Sequence, residues 1–143
     1  AYEPVHALVA DAGGTLLGLT HYLFHRSTTA IAPTCYLQDL FTGQAARGKG
    51  VGRVLSQETF AMALGEGLEK LVVQMTVDQT GAITLFEGLG FKAEALLRDQ
   101  VRDVSGRTHD IVVLGHNVGQ VRAQMEAYGL PAAVQRSRNQ SDR

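Results

Sequence analysis

The sequence predicts a mixed α/β domain with a central sheet, in the order β-β-β-α-β-α-β-β plus a tail helix. Three observations carry this. Val51 to Leu64 and Gly81 to Leu89 place apolar residues at helical spacing, each between apolar strand candidates. A strand–helix–strand unit of this size makes a right-handed crossover, so Leu37–Thr42 and Leu71–Val77 should run parallel. Turn-linked strand pairs at the two ends read as antiparallel hairpins, which makes the sheet mixed.

The elements follow in order. Val5 to Ala10 is a short apolar run, and Asp11-Ala12-Gly13-Gly14-Thr15 is turn chemistry. Leu16 to Phe24 resumes the strand pattern, and Ser27 to Pro33 is a polar loop. Cys35 to Thr42 is the third strand, with Leu37 and Phe41 expected on one face and Tyr36, Gln38 and Leu40 on the other. In the first helix Val51, Leu55, Thr59 and Met62 share a stripe, as do Val54, Phe60 and Leu64; Gly65 or Gly67 should stop it. Leu71 to Val77 is β-branched and apolar. The second helix should end at Gly88 and Gly90. Phe91 to Arg102 and His109 to His116 close the sheet as a hairpin around Ser105-Gly106. Asn117 to Tyr128 reads as a further amphipathic helix, and Pro131 to Arg143 as a polar, basic, frayed tail. The expected division is a domain over 1–117 and a helix with tail over 118–143.

A chain of 143 residues forms one domain with a real core. Its 45% hydrophobic and 19% charged residues fit a globular protein rather than a disordered one. A net charge of −1 favours neither nucleic acid nor an anionic membrane as partner. The single cysteine, Cys35, excludes an intrachain disulfide and offers no zinc-type ligand set, so no metal is expected. No apolar run approaches 18 residues and no basic-then-apolar leader is present, which reads as soluble and cytoplasmic.

The most informative segment is Arg47-Gly48-Lys49-Gly50-Val51-Gly52, between a strand and a helix. Glycines without Cβ let backbone N–H groups approach a ligand, and a helix N-terminus carries partial positive charge. Together they make a seat for phosphate or pyrophosphate. Gly43 to Lys49 fits G-x-x-x-x-G-K, but Gly50 follows where a magnesium-binding Ser or Thr is needed. The dinucleotide fingerprint G-x-G-x-x-G fails too, because the third glycine, Gly52, comes too early. A ligand-free turn is the plain alternative, but the glycines would cost it about 0.5–1 kcal/mol each in backbone entropy.

Arg47-x-x-Gly50-x-Gly52 after a strand ending at Phe41-Thr42 resembles the acetyl-CoA pyrophosphate loop of the GCN5-related N-acetyltransferase (GNAT) family. Leu85-Phe86-Glu87-Gly88-Leu89-Gly90-Phe91 resembles that family's second signature, a helix ending in a Leu-Gly-Phe turn. Tyr36 to Phe41 is similar to the strand before the loop in small-molecule amine acetyltransferases. The resemblance covers residues 5 to 116. It implies a central sheet whose two parallel strands splay, here Leu37–Thr42 and Leu71–Val77, exposing an edge for the extended pantetheine arm. It implies acetyl-CoA as co-substrate. Leu40, Phe41 and Thr42 lie along the arm, and Arg47, Gly48, Lys49, Gly50, Val51 and Gly52 surround the pyrophosphate. Gln79 stands where an Asn is common near the pantetheine, and Phe86 where the usual Tyr acid sits.

The implied reaction is direct acetyl transfer to the amine of a small molecule or an amino terminus. It needs a neutral amine, a positioned carbonyl, oxyanion donors such as the Leu40 N–H, and a leaving thiolate. Tyr36 and Gln38 occupy the positions from which the base often projects, though neither is a good base near neutrality. Asp39 is adjacent, and either a capping or a catalytic role fits it. A water chain ending at Asp39, His21 or His25 is the other route for the proton. Cys35 has no His or Asp spaced to activate it and reads as a small core residue. Glu94, Asp99, Asp103 and Asp110 read either as a solvated strand face or as attraction for a cationic amine.

Two departures bear on function. Phe86 cannot protonate a thiolate, which keeps open a CoA-binding or assembly module with weak or lost catalysis. The family begins with a strand and one or two helices before the hairpin, whereas Ala1 here already stands at what reads as the second strand. Either such a segment precedes it, or the helix Asn117–Tyr128 or a second copy, as a homodimer, covers the exposed sheet.

Overall fold

The computed structural model describes residues 5–26 and 28–129. The expected frayed tail lies outside these residues. Six strands form one sheet: β1 (His6–Ala12), β2 (Thr15–His25), β3 (Thr34–Thr42), β4 (Lys70–Thr76), β5 (Lys92–Arg102) and β6 (Thr108–Asn117). Their spatial order is β1-β2-β3-β4-β6-β5. Among the described residues only β3 and β4 pair in parallel, joined by the helix α1 (Val51–Gly65); α2 (Thr80–Gly88) and α3 (Val118–Ala127) are the other α-helices there. The expected α/β architecture and element order are therefore those observed. One 3₁₀ turn, Gln44–Ala46, had no counterpart in the sequence pattern.

Glycines end both crossover helices by the same device. Gly67 and Gly90 take left-handed φ of 75° and 94°. Leu68 N then reaches back to Ala63 O and Phe91 N to Phe86 O, each at 3.0 Å, closing the last turns in Schellman fashion. The Leu-Gly-Phe turn is thus a helix cap first. It also drops Phe91 into the core edge-on to Phe86, with ring centroids 5.2 Å apart.

The core lies on one face of the sheet. Tyr22, Cys35, Leu37, Leu71, Val73, Met75 and Leu114 from the strands meet Ala63, Phe86 and Val118 from the helices. Leu71 and Leu114 are fully buried, and truncating either to Ala would cost about 2–5 kcal/mol. On α1 the buried stripe is Leu55, Ser56, Thr59 and Ala63; the two hydroxyls are satisfied by the Gly52 and Leu55 carbonyls one turn back. Gly18 lets α1 approach β2, since a Cβ there would sit 2.6 Å from Phe41 O and 3.0 Å from Val51 Cγ1.

The expected helix over Asn117–Tyr128 does not cover the opposite sheet face. Val118 is buried in the same core, Gly119 N bonds Glu69 O, and Arg122 Nη2 bonds Leu68 O at 2.6 Å, capping the carbonyls beyond α1. Val118 can seal that core only from the α1 side, so among the described residues the other face carries no helix. No helix among them is long and apolar enough to cross a membrane.

Candidate functional site

The site forms where β3 leaves β4. Their pairing runs from Thr34–Lys70 to Leu37–Val73 and stops, while β3 stays paired with β2 as far as Thr42. One residue accounts for the change of course. Leu37 faces Tyr22 and Asp39 faces His21, which leaves Gln38 unmatched in a β-bulge. A bulge bends its strand and resets alternation beyond it. The expected shared face of Leu37 and Phe41 is therefore wrong: Leu40 joins Leu37 on the core side, and Phe41 is 52% exposed on the helix-free side. Asp39 likewise falls on the face of Tyr36, not opposite it. There it meets His21 Nδ1 at 3.2 Å, while Tyr36 contacts the His25 ring edge-on.

A cavity of about 380 Å³ occupies the fork between the strands. Gln38, Asp39 and Leu40 of β3 line it with Gln74, Met75 and Thr76 of β4. From the helix side come Gln79, Ala82 and Phe86; from the other side come Val101 and Ile111. The fork thus opens through the sheet. Of the expected site residues, Gln38, Asp39, Leu40, Gln79 and Phe86 are brought together here, whereas Tyr36 does not line the cavity. Phe86 is only 2% exposed, a core residue whose edge reaches the fork.

The glycine loop stands beside it. Gly48 and Gly50 have φ of 73° and 81°, and nothing lies within 4 Å of where their Cβ atoms would be. Gly50 is the residue before α1, whose first turn has no side-chain cap and no acidic residue. Its leading N–H groups are therefore left for solvent or an anion. Gly52 touches both walls, its Cβ position lying 3.6 Å from Thr42 Oγ1, 3.7 Å from Leu40 and 3.7 Å from Leu85 of α2. Arg47 Nε donates to Thr42 O at 3.3 Å, folding that cation onto the strand end, and Lys49 is exposed. Open glycines, unused N–H groups and an adjoining fork fit a pyrophosphate carried on an extended arm.

Cys35 is fully buried, and burial pushes its thiol up to about 12, which suits a core residue rather than a nucleophile. Among the described residues no group of three or more His, Cys, Asp and Glu side chains is placed to hold a metal.

One cluster was missed from the sequence. In the β5–β6 hairpin Asp103 Oδ2 lies 2.9 Å from His109 Nε2. Asp103 Oδ1 also accepts from Ser105 N at 2.8 Å and Arg107 N at 3.1 Å. The Ser105 hydroxyl, then His109, holds the Asp103 carboxyl far below the usual carboxylate range. The spacing Asp103-x-Ser105-Gly106, an acidic residue before a tight turn, was the available signal.

Known proteins share this fold. The family model described as Acetyltransferase (GNAT) family matches residues 1–91. The chain is 30% identical over 84 residues to the Mus musculus protein named "Probable N-acetyltransferase family 8 member 5", a stretch covering 59% of this chain and 37% of that protein. The crystal structure of ribosomal-protein-alanine N-acetyltransferase from Brucella melitensis matches with a TM-score of 0.70 at 24% identity, over 80% of this chain and 68% of that one. Arabidopsis thaliana NAA60 in complex with acetyl-CoA matches with a TM-score of 0.71 at 13% identity, over 80% and 77% of the two chains. At such identities the two structures speak to fold alone. The matched stretch spans little more than a third of the mouse protein's length.

Proposed function

Because this chain belongs to the GNAT acetyltransferase family, we propose that it transfers an acetyl group from acetyl-CoA directly to an amine, that of a small molecule or an amino terminus. The observation that carries the reading is the parting of β3 from β4 after Leu37–Val73, beside the open glycine loop. Acetyl-CoA supplies the activated acetyl group; binding, orientation and proton handling fall to this chain.

In this reading the free edge of β3 at Leu40 and Thr42 pairs with the pantetheine amides as an added strand. Phe41 contributes main chain alone, since its side chain faces away. N–H groups from Gly48 to Gly52, backed by the α1 dipole, hold the pyrophosphate. Arg47 and Lys49 add about 1 kcal/mol or less each, because both are solvated. Gln79 and Phe86 bound the arm from α2. The Leu40 N–H serves as oxyanion donor, and Gln38 and Asp39 border the amine's approach, with Tyr36 outside the fork. Sites like NAA60, crystallised with acetyl-CoA, are consistent with this use of the fold.

A second reading is favoured by Phe86. A phenyl ring at the thiolate position gives no proton, so the thiolate would leave unassisted, with an ordinary thiol pKa near 8.5. That suits a CoA-binding or assembly module with weak catalysis. A thiol-release assay with acetyl-CoA and an amine panel separates the two. Amine-dependent release above buffer supports the enzyme; micromolar binding without release supports the module.

A further inference from the structure

We propose that His109, held by Asp103, is the general base that takes the proton from the acceptor amine on the helix-free side of the fork. The proposal rests on the acetyl-transfer reading above and assigns it a residue.

The register places the imidazole. Thr76 pairs with Ile111 and Val101 pairs with His109, and Thr76, Ile111 and Val101 all line the cavity. Alternation puts His109, two residues before Ile111, on the same face of β6, side by side with Val101 and one position beyond the residues that line the cavity. That is the face opposite Phe86 and α2, so an amine entering there meets an acetyl group arriving from the helix side. The bulge of Arg98, Asp99 and Gln100 opposite Asp110 sets this register. Asp99 N donates to Asp110 Oδ1 and Thr108 Oγ1 to Asp99 Oδ1, which locks it.

The groups around the ring suit a base. Asp103 is ionised and can only accept, so the ring proton sits on Nε2 and the Nδ1 lone pair remains for substrate. Asp103 cannot easily turn away, since Ser105 and Arg107 main-chain N–H groups fix it and Arg107 Nε lies 3.4 Å from it. The Asp78 carboxylate, bonded to the Thr76 side chain, senses the charge of His109. Asp110 is turned to Asp99, and Arg102 is held by Gly106 O. An imidazolium would thus face two carboxylates, Asp103 and Asp78, against one cation already paired with Asp103. Imidazole is the side chain suited to exchange protons near neutrality. Its side chain is 26% exposed, which leaves a route for the proton to solvent.

The step balances. A substrate ammonium gives one proton to Nδ1 and becomes a neutral amine. Its nitrogen forms the C–N bond as the thioester C–S bond breaks, and the second nitrogen proton goes to the departing sulfur. His109 returns its proton to water, so the net release is one proton per acetyl group. Asp103 acts as a positioning residue, since it reaches the amine only through the ring.

The test is the pH dependence of kcat/KM in the whole chain for wild type, His109→Gln and Asp103→Asn, with acetyl-CoA affinity measured alongside. For an alkylamine, His109→Gln should lose about 10²–10⁴-fold near neutral pH and recover as the pH rises, with acetyl-CoA affinity unchanged. An aromatic amine, already neutral, should be nearly insensitive to the substitution. Asp103→Asn should shift the acid limb while leaving affinity intact, and it serves as the readout if His109→Gln fails to fold. Amine-dependent turnover with an unchanged profile in the variants overturns the assignment of His109 alone. Wild-type binding without turnover on any amine overturns the acetyl-transfer reading, and this proposal with it.

Discussion

Thr20 Oγ1 donates to the Asp39 carbonyl at 2.8 Å, from a fully buried position on the strand next to the Gln38 bulge. The bond ties β2 to β3 beside the unmatched Gln38. It thereby holds β3 on the course that opens the fork. Thr20→Val keeps the shape but removes that bond, so stability should fall by about 0.5–1.5 kcal/mol in urea titrations. Thr20→Ser should lose less, because the hydroxyl remains. Equal stability of Thr20→Val and Thr20→Ser would remove the bulge-pinning role.

Gly90 answers to two constraints at once. Its φ is 94°, and a Cβ there would lie 2.7 Å from His116 Nε2, a ring wedged between Phe60 and Phe91. Gly90→Ala should therefore destabilise the chain by about 1–3 kcal/mol in thermal or urea unfolding. Gly106, also at positive φ but in open space, should cost less when changed to Ala. A larger loss at Gly106 than at Gly90 would contradict the packing argument.

His116 makes stability depend on pH. Burial among these rings lowers its proton affinity, and its Nδ1 has no partner. The unfolded chain takes up this proton near pH 6.5, the folded chain only at lower pH. The unfolded state then binds more protons, so stability should fall as pH drops below about 6.5 and level off beneath the folded value. Asp103 and Asp78, whose carboxyls are lowered in the fold, add a separate loss only in more acid solution, below their ordinary 3.8. Melting temperatures between about pH 7 and pH 5 read the first effect. His116→Leu should flatten that window; an unchanged slope would assign it elsewhere.

The order of elements was legible because glycine and periodicity mark ends plainly. Gly67, Gly90 and the Gly13-Gly14 pair all take the positive φ that their positions in the sequence suggest. In the loop Arg47–Gly52, Gly48 and Gly50 take positive φ for the same reason. Leu40 and Phe41 were assigned to the wrong faces because both are apolar, so a one-residue slip leaves the pattern equally plausible. The slip comes from Gln38, left unmatched against a strand some 17 residues earlier, which no local pattern reveals. Asp103 was noticed only as one of four acidic residues, and its pairing with His109 was not, because their meeting depends on the irregular register of β5 against β6.

The account stands most directly on Gly50, the residue before α1, with φ of 81° and open space where its Cβ would be. Aspartate tolerates the left-handed conformation better than most residues, so Gly50→Asp should fold while setting a carboxylate where pyrophosphate would sit. Calorimetric titration of acetyl-CoA into wild type should show micromolar binding, and into Gly50→Asp a loss of at least about 100-fold, on the order of 3 kcal/mol. Equal affinity in a folded Gly50→Asp variant would contradict the placement of acetyl-CoA on this loop.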